Sequence, residues 1–235
     1  DKEETAVAEA IREHYLPRFA TDKLPQSQAG ALLAIADRID SIVGIFGINQ
    51  LPTGDKDPYG LRRAASGILK IIIEREIPID SIDLITEAKN NFGDKIINPN
   101  VVSDVHNFIL DRLPAYYQEK DIAPDTLNAV LAVQNRKPLD IDLRVRAVQV
   151  FRNLAEANAL ASANKRVSNI LKNSSLLDQA EPLKSVKINL FENDIENTLF
   201  QAITKKQKEK FIDYQQHLTQ LARLREPVDL FFDKV

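Results

Sequence analysis

The chain has no cysteine among its 235 residues. That excludes a disulfide framework, a thiolate zinc site and a cysteine nucleophile, and it fits a reducing compartment. Histidine occurs only three times, as His14, His106 and His217, and none is followed by aspartate. A hydrolytic metal centre needs several ligands on the ion and an open position for water, so it has little to draw on here. No apolar run approaches the roughly 18–20 residues needed to span a bilayer, and no signal-peptide pattern opens the chain. Methionine is also absent. A translated polypeptide needs a start residue, so the chain is expected to belong to a longer protein. The other reading is that methionines have dropped out of the sequence, and helical phase then breaks at each loss.

What is present is the composition of a soluble globular protein, 44% apolar and 28% charged, long enough for one large or two ordinary domains. Net charge is −3, so a nucleic-acid contact must come from local basic patches. Strand alternation is hard to find, and almost every segment has helical spacing. Ile35, Ile39, Ile42 and Phe46 recur at three and four within a helix expected over residues 27–46. Asp57-Pro58 reads as an N-cap and first helical position. The helix that follows should bury Leu61, Ala65, Ile68, Leu69 and Ile72, and Pro78 ends it. Tyr116 and Tyr117 are expected at the edge of the core. Residues 134–138, polar and ending in proline, form the best linker candidate. The expectation is an all-α chain of two domains, residues 1–137 and 138–235.

Three places can carry chemistry. His14 and Asp37 sit on helical segments that resemble HD-domain phosphohydrolases, but the histidine-aspartate doublet is missing, so they read as vestigial metal ligands on a retained scaffold. Lys56 groups with Arg62, Arg63 and Lys70 around a loop whose Gly54 lacks the spacing of a phosphate-binding P-loop; exposed Arg and Lys here can position an RNA phosphate or form an ordinary solvated face. In residues 160–172, Leu160, Ala163, Val167, Ile170 and Leu171 form one stripe that should be buried, with Asn164 near its border. Lys165, Asn169 and Lys172 project away and Arg166 flanks the stripe. Lysine and arginine suit phosphates, and asparagine suits base edges in an unstacked loop. The lysines at 205, 206, 208 and 210 are interleaved with Gln and Glu and read as solvated surface.

Four ordered stretches together carry a resemblance: AIADRIDSIVGIFGI at 34–48, PTGDKDPYGLRR at 52–63, ANKRVSNIL at 163–171 and LREPVDLFFDKV at 224–235. They are similar to the bacterial glycyl-tRNA synthetase β-subunit family, in its C-terminal part. The resemblance implies a degenerate HD-like helical domain followed by a helical-bundle anticodon-binding domain like that of arginyl-tRNA synthetases, here truncated at its C-terminus. It implies that the helix containing Lys165 and Arg166 lies near the tRNA, with Asn169, Lys172, Arg63 and Lys56 as further RNA-contact candidates by residue type and position, and it implies no catalytic, cofactor-binding or metal residue in these 235 positions. The ligase chemistry, with ATP and Mg, would reside in a separate α subunit of an α2β2 cytoplasmic enzyme. The expected partners are tRNA(Gly) and that α subunit, with neither DNA nor a membrane. A metal-dependent HD-type phosphohydrolase and a purely structural helical scaffold are the alternatives.

Overall fold

The structure, a computed structural model, describes residues 4–54, 56–173 and 186–234. Helices account for all the regular structure in the described residues, with no strand. Contacts divide the chain into two units, Asp1–Val145 and Arg146–Val235. The division falls inside one helix, α8 (Pro138–Arg152).

Unit 1 is organised around α2 (Gln28–Gly47), against which α1 (Thr5–Glu13), α3 (Leu61–Glu74), α4 (Ser81–Phe92) and α5 (Val101–Leu110) pack. Ser27 starts α2 by accepting the Gly30 N–H at 3.0 Å, which satisfies one orphan donor of the first turn. The three-and-four spacing read from the sequence is the one that buries: Ile35, Ile39, Ile42 and Phe46 are at most 2% exposed. Phe46 also meets Phe108 of α5, centroids 4.9 Å apart. The five expected core positions of α3 are buried, and so are Ile71 and Ile73, because α2, α5 and α6 (Leu113–Gln118) contact this helix from several sides.

Helix α3 begins three residues later than Asp57-Pro58 suggests. Gly60, at φ +65°, turns the chain into it, a conformation open to glycine at little cost. Asp57 still supplies the capping acceptors from outside the helix: its carboxylate takes the Leu61 and Arg62 N–H groups at 2.8 and 2.9 Å. Tyr117 is a second departure. It is 2% exposed rather than at the core edge, because its hydroxyl donates to the buried Asp142 carboxylate at 3.0 Å.

The polar segment 134–138 follows α7 (Pro124–Leu131) and is tied to unit 1. The Arg136 carbonyl accepts both the Ser81 N–H at 2.9 Å and the Ser81 hydroxyl at 2.6 Å. The Arg136 guanidinium reaches Asp80 at 3.0 Å and Asp83 at 2.6 Å. Beyond it, Ile141 and Val145 of α8 are buried.

Unit 2 contains α9 (Ala157–Asn173), a 3-10 turn (Ile188–Leu190), α10 (Asp194–Lys208), α11 (Tyr214–Ala222) and α12 (Arg225–Lys234). Helix α12 packs on both α10 and α9. A capping box starts α10: Asn193 accepts the Ile195 and Glu196 N–H groups, and the Glu196 carboxylate accepts the Asn193 N–H. Among its described residues the buried apolar side chains are four alanines, at 147, 157, 163 and 222. The expected stripe of α9 is therefore corrected. Ala163 is buried, but Val167, Ile170 and Leu171 are 39%, 53% and 40% exposed, because the α12 contact covers the helix only in part. Asn164 is exposed as well. The poorly patterned stretch at 174–182 lies outside the described residues, as does Asp55.

Candidate functional site

Helix α9 forms because residues 157–166 are rich in alanine with no β-branched residue, so the run keeps high helix propensity. Its 17 residues extend about 25 Å at 1.5 Å per residue. Lys165, Asn169 and Lys172 stand four and three residues apart, which sets them on one face, and all three are exposed. The outcome is a row of two ammonium groups with an amide between them, about 10 Å from first to last along the axis. Arg166 has a different engagement. Its guanidinium carbon lies 4.2 Å from the centroid of the Phe232 ring, a cation–π contact that couples α9 to α12.

Lys56 and Arg63 belong to unit 1, and both are exposed. Arg62, between them in sequence, is committed to the loop itself, donating to the Gly54 carbonyl at 2.5 Å and the Lys56 carbonyl at 3.4 Å. The loop carbonyls thus turn towards a guanidinium and the Asp57 carboxylate takes the helix N–H groups. Those N–H groups are the ones an anion at the start of a helix would meet, and here the protein's own carboxylate takes them.

His14 and Asp37 differ in their surroundings. The half-buried His14 donates from Nδ1 to the Ile11 carbonyl at 2.5 Å, and Asp37 is exposed. Among the described residues no group of three or more His, Asp or Glu side chains converges as metal ligands would. The neighbour of Asp37 proves more important. Arg38 donates to four carbonyl oxygens: His14 at 2.9 Å, Ala34 at 2.8 Å, and Tyr15 and Pro17 at 3.1 Å each. Burial pushes its pKa down, and only the nearby Asp37 charge opposes this. Glu13 is buried alongside the same turn.

A serine-histidine pair escaped the sequence reading. The Ser81 hydroxyl sits 2.8 Å from His106 Nδ1. It is not an activated nucleophile, because its one proton goes to the Arg136 carbonyl and it must therefore accept from His106, fixing the Nδ1–H tautomer. Burial is the main force lowering the His106 pKa; Asp80 raises it and Arg136 lowers it further. The unfolded chain therefore takes up a proton, as pH falls towards and below about 6.5, that the native state refuses. Unit 1 is expected to be fully stable with respect to this group above that pH and to lose stability below it. Urea unfolding at pH 7.5, 6.5 and 5.5 measures the slope, which His106→Gln should reduce. An undiminished slope in the variant would assign the effect elsewhere.

Unit 2 also has an open cleft of about 740 Å³. Glu156, Glu226, Asp229 and Asp233 outnumber Arg223 and Arg225 along it, and Arg225 pairs with Asp229 at 3.4 Å. That lining is unfavourable for a polyanion. No helix among the described residues is long and apolar enough to cross a membrane.

Comparison with known proteins identifies the family. The family model described as glycyl-tRNA synthetase beta subunit matches residues 1–132. The chain is 51% identical to the glycine–tRNA ligase beta subunit of Coxiella burnetii (strain Dugway 5J108-111). It is 48% identical to that of Edwardsiella ictaluri (strain 93-146) and 46% to that of Pseudoalteromonas translucida (strain TAC 125). Each comparison takes in 100% of this chain and 34% of the relative, so the chain spans about a third of the length of these curated relatives. With more than half of its residues matched by that model, the chain belongs to the glycyl-tRNA synthetase beta subunit family.

Proposed function

We propose that the chain is a tRNA-holding part of a glycine–tRNA ligase, and that it positions tRNA(Gly) for aminoacylation by a separate α subunit. The observation that carries this reading is the exposed Lys165–Asn169–Lys172 row on α9. Lysines fix the register of the backbone through phosphates, and the amide between them can read a splayed base. Arg166 takes part by holding α9 against α12 and presenting the edge of its guanidinium. Lys56 and Arg63 supply a second phosphate contact from unit 1. His14 and Asp37 are vestiges of the HD-like scaffold and hold no metal. ATP and magnesium are the α subunit's, in an α2β2 assembly working in the cytoplasm, and no step of the chemistry runs through these residues.

The test is binding of the assembled enzyme to tRNA(Gly) and to an unrelated tRNA across a salt series. Lys165→Ala with Lys172→Ala should weaken binding and reduce the log–log salt slope by about 1 for each lysine removed. Thermal stability should hardly change, since both side chains are exposed. Unchanged affinity and slope in the double variant would remove α9 from the interface.

A further inference from the structure

We propose that the corner between α10 and α11 is a second RNA contact, a platform on which one unstacked base lies against the Phe211 ring. Phe211 and His217 are stacked with centroids 3.7 Å apart and planes 10° from parallel. Phe211 is nonetheless 40% exposed, and Ile212 beside it is 91% exposed. In the chain just before them Lys205, Lys208 and Lys210 are exposed, while Lys206 is held by Glu209 at 2.7 Å. An aromatic face next to solvated cations matches single-stranded nucleic acid, in which the base supplies a π-face and the backbone supplies charge. Charge complementarity therefore selects RNA over an apolar protein surface.

The corner is also fixed before any ligand arrives. Gln216 accepts the Ile212 N–H at its Oε1, 2.8 Å away, and donates its own N–H to the Asp213 carboxylate at 2.7 Å. His217 donates its backbone N–H to the Asp213 carbonyl at 3.1 Å. The segment that carries Phe211 thus loses little freedom on binding, and preorganisation of this kind favours affinity.

This inference rests on the RNA reading above, and its test separates the two. The full-length subunit, assembled with its partner, is titrated with tRNA(Gly) and with a seven-nucleotide single-stranded RNA. Phe211→Ala should weaken both by about tenfold, Phe211→Trp should keep the affinity, and Phe211→Leu should not restore it. Lys208→Ala with Lys210→Ala should lower the salt slope for both probes. Equal affinity of the Leu and Trp variants would mean apolar packing rather than stacking and would overturn the proposal. Phe211→Ala that impairs subunit assembly while RNA binding persists would overturn it too. Loss of binding in the α9 lysine variants with none in Phe211→Ala would sink the platform and leave the preceding reading standing. No change at either place would sink both.

Discussion

Arg38→Ala is expected to lower the stability of unit 1 by about 3 kcal/mol or more, the largest effect of any single polar substitution in the described part of that unit. The guanidinium donates to four carbonyls from 2.8 to 3.1 Å away, three of them in the turn that leaves α1. Removing it takes the charged donor from all four acceptors, most of them part-buried. Arg38→Lys should recover only part of the loss, because an ammonium lacks the planar fork that serves two acceptors from each nitrogen. Gly67 leaves the space: a Cβ there would stand 2.9 Å from Arg38 Nε. Gly67→Ala should therefore destabilise the native protein and cost less in the Arg38→Ala background, a coupling that a double-mutant cycle in urea measures. Full stability in Arg38→Lys, or strict additivity with Gly67→Ala, would contradict this account.

The second large effect is at Glu13, where the same turn is held by an anion. Its carboxylate accepts the Gln26 N–H at 3.1 Å, the Ser27 N–H at 2.9 Å and the Ser27 hydroxyl at 2.6 Å, so it anchors the residue that caps α2. Glu13→Ala should cost about 3 kcal/mol, with three donors left near a buried site. The Ser27 hydroxyl is the main cause of its lowered pKa, against the opposing effect of burial. Its contribution is present above the ordinary carboxylate value of 4.5 and disappears as pH falls through the lowered native value. Glu13→Gln should therefore show a flatter acid limb between pH 5 and 3 than the parent. Gly30→Ala reaches the same cluster from the other side, since its Cβ would lie 2.6 Å from Glu13 Oε2 and 2.8 Å from Ser27 Oγ. An acid limb unchanged by Glu13→Gln would place the proton uptake elsewhere.

Unit 1 was largely readable as a string because its helices bury a regular face. The spacing of Ile35, Ile39, Ile42 and Phe46 names the face that α2 turns inward, and the same logic finds α3. What the string concealed depends on partners distant in the chain. Arg38 finds its partners only when the carbonyls of His14, Tyr15 and Pro17 come to it. Ser81 and His106, 25 residues apart, meet only through the fold. Tyr117 is drawn inward by Asp142 on another helix. In unit 2 the periodicity of α9 is genuine, but period reports which residues share a side, not whether anything covers it. Val167, Ile170 and Leu171 share a side and remain exposed. The Asn193–Glu196 box was a signal in plain view that marks the start of α10. For the candidate site, the α9 lysines were legible from residue type and phase. The Arg166–Phe232 contact needed α12 to fold back first.

Among the described residues of unit 2 the buried apolar side chains are four alanines, and this bears on how that unit behaves as a thermodynamic object. A methyl group removes little apolar area from water, and side chains of that size leave a fold only a thin margin over chain entropy. Whatever binds such a unit in its native form adds RT ln(1 + [L]/Kd) to that margin, and here the addition is large relative to the intrinsic amount. Melting of unit 2 should therefore track occupancy far more steeply than melting of unit 1, so that the smaller unit works as a gauge of its own ligation while the larger reports only temperature.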